Sequence, residues 1–336
     1  MKHLFFNLTV MGLVACLFAS CSKDVIENPA NEETYTVQLG WSGEIDINYE
    51  PLTKATGDDL YGIQVYSTPD LDGATTETPY AYGLFDNPQN ITITLLRGYK
   101  YKFVATLVKD GKNKIKNYST SGFYAPFYVS GTESGAIQVD NAFSYTSVRK
   151  MDGLKGGRTM LSNGTSYSRP NTDRYYGELD NYIPGKNNNK AIIKMIRTSY
   201  GAKFQAKGTL AKSGKLEVMM AESPSFEYAL TDGDNIYTDI FTFSDVYNAW
   251  NSTGNEYSET VKTSINWYRA DGTVIPLGTH EITFKRNVTT IITVEINDDD
   301  EDTDIGFDID EEEMVDGDEV TIKDGEMVKT EITPGN

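Results

Sequence analysis

The chain has 336 residues, with 49 acidic against 30 basic side chains and a formal charge of −19. That balance excludes a nucleic-acid-binding role, which needs a basic footprint. Two cysteines and two histidines exclude a disulfide-stapled scaffold and the usual zinc ligand sets.

Lys2 and His3 make a short basic start, and Leu4 to Ala19 is almost wholly apolar. This is the pattern of a secretory signal, too short for a comfortable membrane span. Ala19 and Ser20 precede Cys21, and polar Ser22-Lys23-Asp24 follows at once. The arrangement reads as a bacterial lipoprotein processing site, with residues 1–20 as signal peptide and Cys21 lipidated. Several acyl chains at Cys21 bury enough methylene for stable anchoring. The expected place is the bacterial envelope, held by the lipid anchor. Residues 21–33 are polar and aperiodic, a lipidated tether.

From Thr34 the apolar positions alternate. Tyr35, Val37 and Leu39 start the pattern, then Ile45, Ile47 and Tyr49, then Tyr61, Ile63 and Val65. Ile91, Ile93 and Leu95 repeat it, as do Tyr99, Tyr101, Phe103 and Ala105. A period of two puts every second side chain on one face, as in a half-buried strand. Asp110-Gly111 reads as a hairpin turn. Ile137 and Val139 close this group, predicting an N-terminal β-sandwich over 34–150. Residues 151–190 are rich in Gly, Asn, Ser, Tyr and Arg, and read as a junction with a long surface loop. Within it Tyr167, Tyr175, Tyr176 and Tyr182 sit beside Arg, Asp and Asn. Such aromatics can bind a glycan or a host protein, or can pack the loop onto its neighbours.

Strand patterns resume at Ile192-Ile193 and predict a C-terminal β-sandwich over 191–297. Ser244-Asp245 can cap one short helix carrying Val246, Tyr247 and Trp250. Asp271-Gly272 marks another hairpin. The fold expected is all-β, two sandwiches with few short helices.

Residues 298–336 form an acidic tail with a terminal strand segment. Asp298 to Glu319 holds fourteen acidic residues and no Lys or Arg. Asp300, Asp302, Asp304 and Glu311 partly match a calcium loop, but Ile305 stands where its glycine belongs. The tract reads instead as a solvated, self-repelling spacer. Beyond it Val320, Ile322, Val328 and Ile332 regain strand character around Asp324-Gly325. They make either a small terminal hairpin or an arm that pairs with another chain's open sheet edge.

Catalytic motifs are missing. The sequence has no G-x-S-x-G elbow and no Walker A, and the mature part keeps one histidine, His280. No cofactor is expected, and the chain does not read as an enzyme.

The chain resembles the fimbrillin-like (type V pilin) family of Gram-negative envelope lipoproteins. The likeness rests on the lipoprotein signal with its tether and first strand. It also rests on Pro51-Leu52-Thr53-Lys54-Ala55 before Asp59-Leu60-Tyr61-Gly62-Ile63-Gln64-Val65-Tyr66, and on Phe284-Lys285-Arg286-Asn287-Val288 running into Thr289 to Val294. The resemblance implies two transthyretin-like sandwiches and a structural or cell-adhesion role in fimbriae, at the outer membrane. It implies a cut after a basic residue, with Lys54 standing where the family has Arg. The freed N-terminal strand leaves a groove that a terminal strand of another subunit, or of a second copy, fills. Val320, Ile322, Val328 and Ile332 would be that donor. A surface glycan-binding lipoprotein is the alternative.

Overall fold

The alternating stretches that the described residues cover form strands, except Ile137 and Val139, where Ile137 makes only an isolated bridge to Phe123. The computed structural model describes residues 33–44, 57–128, 135–208, 214–230, 235–252, 256–299, 302–314, 322–323 and 326–327. The expected strand at Ile45 to Tyr49 lies outside them, as do the signal peptide and nearly all of the tether.

The first sandwich has seven main strands. They are β1 (Thr34–Gly43), β2 (Leu60–Pro69), β3 (Thr78–Phe85), β4 (Thr92–Leu96), β5 (Tyr99–Val108), β6 (Arg174–Tyr182) and β7 (Lys190–Arg197). One layer runs β4-β1-β7 and the other β3-β2-β5-β6, with Ser144–Tyr145 added beside β3. β1 is antiparallel to β4 and parallel to β7. The layers join where Tyr175 and Tyr176 pair with Arg197 and Ile196. Between them Val37, Leu39, Ile93, Ile193 and Met195 meet Ile63, Val65, Phe103 and Leu107 in one buried cluster. Each such aliphatic or aromatic side chain contributes about 1.5–3 kcal/mol on leaving water.

The second sandwich comprises β8 (Ser199–Lys207), β9 (Gly214–Met220), β10 (Phe226–Leu230), β11 (Asn235–Thr242), β12 (Ser258–Arg269), β13 (Val274–Lys285), β14 (Val288–Asp299) and β15 (Asp302–Glu313). Its layers are β11-β8-β14-β15 and β10-β9-β12-β13. Tyr200, Phe204, Val218, Ile265, Trp267, Phe284 and Ile292 fill its core. The first seven of these strands repeat the order of the first sandwich, β8 standing for β1 and β14 for β7. Both repeats close with a parallel pair, β1 with β7 and β8 with β14. β15 has no counterpart.

The middle of the chain differs from expectation. Residues 151–190 are mostly irregular, as expected of a junction, but they also contain β6 and the start of β7. β7 belongs to the first sandwich, so the change of sandwich comes at Thr198 and not at 191. Alternation shows that a segment is a strand but not which sheet it joins. Asp110-Gly111 also makes no hairpin. Asp110 is left-handed (φ 53) and opens a single helical turn, α1 (Gly111–Lys114). The Asp59 carboxylate accepts from Asp110 N–H and Lys109 Nζ and fixes that exit.

The chain then covers the outer face of β2, β5 and β6. Ile115, Phe123, Phe127, Ile137, Met151 and Leu154 pack there on Leu60, Val104, Val108 and Tyr176. Gly62 makes room, since a Cβ on it would meet the Phe127 ring at 2.6 Å. The short helix α2 (Val246–Asn251) forms as expected. Asp245 caps it by accepting from Asn248 N–H at 2.9 Å, and Val246 joins the same cluster. Tyr176 packs edge-on to Trp250 at 5.5 Å.

The acidic tract is also different. Residues 302–313 are a full strand, antiparallel to β14 from Asp299/Asp302 to Val288/Glu313. Its alternate residues Phe307 and Ile309 sit opposite Val294 and Ile292, and packing of Phe307 on the second core outweighs charge repulsion. An extended strand cannot wrap a calcium ion as a loop does, and no ligand cluster occurs among the described residues.

Candidate assembly site

β1 is the first strand of the described fold. It lies inside a layer, between β4 and β7, and sends Val37, Leu39 and Trp41 into the core. Backbone pairing and the alternate apolar side chains Tyr35, Val37, Leu39 and Trp41 supply its main contacts. Trp41 adds an Nε1–H bond to Pro88 O at 3.3 Å and a ring contact with Tyr61 at 5.7 Å. The place β1 fills is lined by Ile91, Ile93 and Leu95 on one side and Ala191, Ile193 and Met195 on the other. Any chain with apolar side chains at every second position meets the same requirement.

A charged clasp holds the end of β1. The Glu44 carboxylate accepts from Arg286 Nη1 at 2.8 and 3.1 Å and from Arg197 N–H at 2.9 Å. Arg286 is only 2 % exposed and comes from the β13–β14 turn of the second sandwich. It also donates to Arg197 O. Arg197 forks onto Asp173 at 2.9 and 2.7 Å. The clasp therefore binds β1, the end of β7 and the second sandwich at one point.

Two further polar clusters make the surroundings rigid. Arg174 is buried and donates to Thr106 Oγ1, Gly156 O, Leu154 O and Gly153 O, which fixes the 153–156 turn. Burial pushes its guanidinium down to about 9, so it stays charged at neutral pH. Glu178 accepts from Lys102, Lys155 and the Tyr176 hydroxyl. Burial alone would raise its carboxyl, but bonds from Lys102, Tyr176 and Lys155 hold it below the usual glutamate range.

The sequence-derived site residues fall as follows. Tyr175, Tyr176 and Tyr182 are buried on β6, so they form no exposed aromatic platform. Tyr182 packs on Phe103 and donates to Asn188 O at 2.6 Å. Tyr167 is half-buried on the short Ser166–Tyr167 strand, apart from β6. The packing alternative for this stretch is the one the fold adopts. Cys21, Lys54, Val320, Val328 and Ile332 lie outside the described residues. Ile322–Lys323 pairs with Glu326–Met327, so the described part of the terminal segment is a tight hairpin and not one extended arm.

His280 stacks on Phe307 at 3.9 Å between centroids and helps seat β15. A shallow concavity of about 200 Å³ beside β3 has one carboxylate, Asp140, in its lining, which gives no acid–base pair. The clasp was invisible to sequence reading. Glu44 and Arg286 stand 242 residues apart, and no local pattern marks either.

No family model matches the chain, and no curated protein matches it. Among solved structures, the chain is similar to the tip fimbrial protein Mfa3 of Porphyromonas gingivalis in C-terminally truncated form. Identity is 10%, over 83% of this chain and 99% of that one, with a TM-score of 0.32. It is similar to the fimbrial anchor protein Mfa2 of Porphyromonas gingivalis at 11% identity, over 82% and 97% of the two chains, TM-score 0.34. A Bacteroides eggerthii protein named for a cell-adhesion role matches at 10% identity, over 84% and 96%, TM-score 0.38.

Proposed function

We propose that this chain is a non-enzymatic structural subunit of surface fimbriae, lipid-anchored through Cys21, and that it joins other subunits by strand complementation at the β1 position. The observation that carries the reading is β1 itself. It is a strand inside a sheet whose onward connection, residues 45–56, contains Lys54. A cut after Lys54 leaves β1 held by backbone bonds, the side chains of Tyr35, Val37, Leu39 and Trp41, and the clasp. Its departure opens an apolar groove with unpaired peptide groups on β4 and β7, which another strand can satisfy.

The donor in this reading is residues 320–332 of another subunit or a second copy. The pairing of Ile322–Lys323 with Glu326–Met327 must open first, at the expense of two residue pairs. The alternative of a glycan surface loses its support, because three of its four tyrosines are inside β6.

The test uses a protease site engineered at Lys54 in the full chain. After cutting, a labelled peptide of residues 320–332 is expected to bind while the β1 fragment is released, and uncut protein is expected not to bind it. Electron microscopy of cells should show filaments with the full chain and fewer with a chain ending at Glu319. Retention of β1 after cutting, or equal filaments from the shortened chain, would sink the reading.

A further inference from the structure

The two sandwiches differ at one edge. In the second, β15 covers β14 along its whole length. In the first, β7 is the counterpart of β14. Among the described residues no strand pairs with its outer side from Lys190 to Ile193, and Gly177 of β6 lies against the Lys194 carbonyl beyond that. Gln38 N–H bonds to Asn189 O and Glu44 N–H to Met195 O, which shows which peptide groups face β1. By alternation those of Lys190 and Ile192 face away, and an unpaired edge is a template for another strand. The exposed side chains of this edge are Lys190, Ile192 and Lys194.

β15 carries the complementary face. Phe307 and Ile309 sit opposite the buried Val294 and Ile292, so Asp308, Asp310 and Glu312 share the other, exposed face. β15 ends its layer with no strand on its outer edge among the described residues, where Asp308 and Asp310 each accept from the next residue's N–H, of Ile309 and Glu311, through one carboxylate oxygen. Two β15 edges brought together would set acids against acids, a destabilising cross-strand arrangement. The β7 edge offers lysines in place of acids.

We infer that the outer edge of β15 in one copy docks on the outer edge of β7 in a second copy. The layer β4-β1-β7 then continues into β15-β14-β8-β11 as one sheet across two molecules. The lysines of β7 lie on the solvent face with Asp308, Asp310 and Glu312. Each copy owns both edges, and they are different surfaces, so the contact is heterologous and propagates end to end unless rotation closes a ring. The β7 edge is short, so a single contact is weak and salt-sensitive. No strand leaves its own sheet, and the contact therefore goes beyond strand complementation and is independent of it.

Sedimentation of the purified full chain tests this. Mass is expected to rise with concentration at low salt and to return to the monomer near about 0.5 M salt, where screening is short-ranged. Lys190→Glu with Lys194→Glu, or Asp308→Lys with Asp310→Lys, is expected to weaken association roughly tenfold or more. Mixing the two variants restores both complementary contacts and should restore association. A wild-type chain that stays monomeric, variants that associate like wild type, or a mixture that does not recover would each overturn the inference. If a double variant fails to fold, Lys194→Glu and Asp308→Lys singly carry the same test. A chain ending at Glu319 keeps β15, so it should still associate here even if complementation at β1 fails.

Discussion

β1 and β8 occupy the same place in two copies of one topology, yet they are held differently. β8 follows β7 after the single residue Thr198. It buries Tyr200, Ala202, Phe204 and Ala206, with Tyr200 stacked on Phe284 at 4.5 Å and Phe241 at 5.8 Å. β1 buries Val37, Leu39 and Trp41, and a clasp of side chains from distant segments finishes it. Equivalent topology thus yields two core strands, of which β1 is also clasped at its end by Arg286 and Arg197. The difference lies in connection and packing, not in the sheet diagram.

The comparison can be broken by measurement. Phe204→Ala on β8 is expected to cost about 3–5 kcal/mol, and Leu39→Ala on β1 less, within about 2–5 kcal/mol. Denaturant midpoints decide this, and an equal or larger loss for Leu39→Ala removes the distinction. Glu44→Ala should cost about 1.5–3 kcal/mol, because buried Arg286 loses its carboxylate partner. Hydrogen exchange sharpens the point. Amides of 34–43 should exchange faster in that variant while those of 199–207 keep their protection.

Glu178→Gln has a smaller expected effect, about 1 kcal/mol at neutral pH. Its carboxyl lies below the ordinary value in the folded chain, so its contribution is full above that value. The contribution is lost as pH falls through the lowered one. Acid unfolding of the Gln variant should therefore have a shallower limb than wild type, and an identical limb would show that Glu178 is not coupled to folding. Glu311→Gln removes the exposed bond to Lys285 at 2.8 Å, and should change stability by less than about 0.5 kcal/mol. A larger loss would mean that surface charge, and not Phe307, seats β15.

Sequence reading succeeded where a strand has one wet face. Ile91, Ile93 and Leu95 alternate with exposed Thr92 and Thr94, and Asp245 sits before a short apolar stripe. It failed at β6, where Tyr175, Tyr176 and Gly177 are all buried because both faces are covered. Periodicity vanishes under such double cover. It failed at β15 for the opposite reason, since charge drew attention away from Phe307 and Ile309 at alternate positions. The clasp and the membership of β7 depend on chain segments far apart, and no local pattern encodes them.

The direction of β7 has a mechanical consequence. β7 runs parallel to β1 along six consecutive paired residues, from Gln38/Lys190 to Gly43/Met195. A pull on the leading end of β1 against the rest of the sandwich acts along both strand axes. The ladder is then loaded in shear, so its bonds resist together and do not unzip one at a time. The β1–β7 ladder is therefore suited to bear tension along the chain.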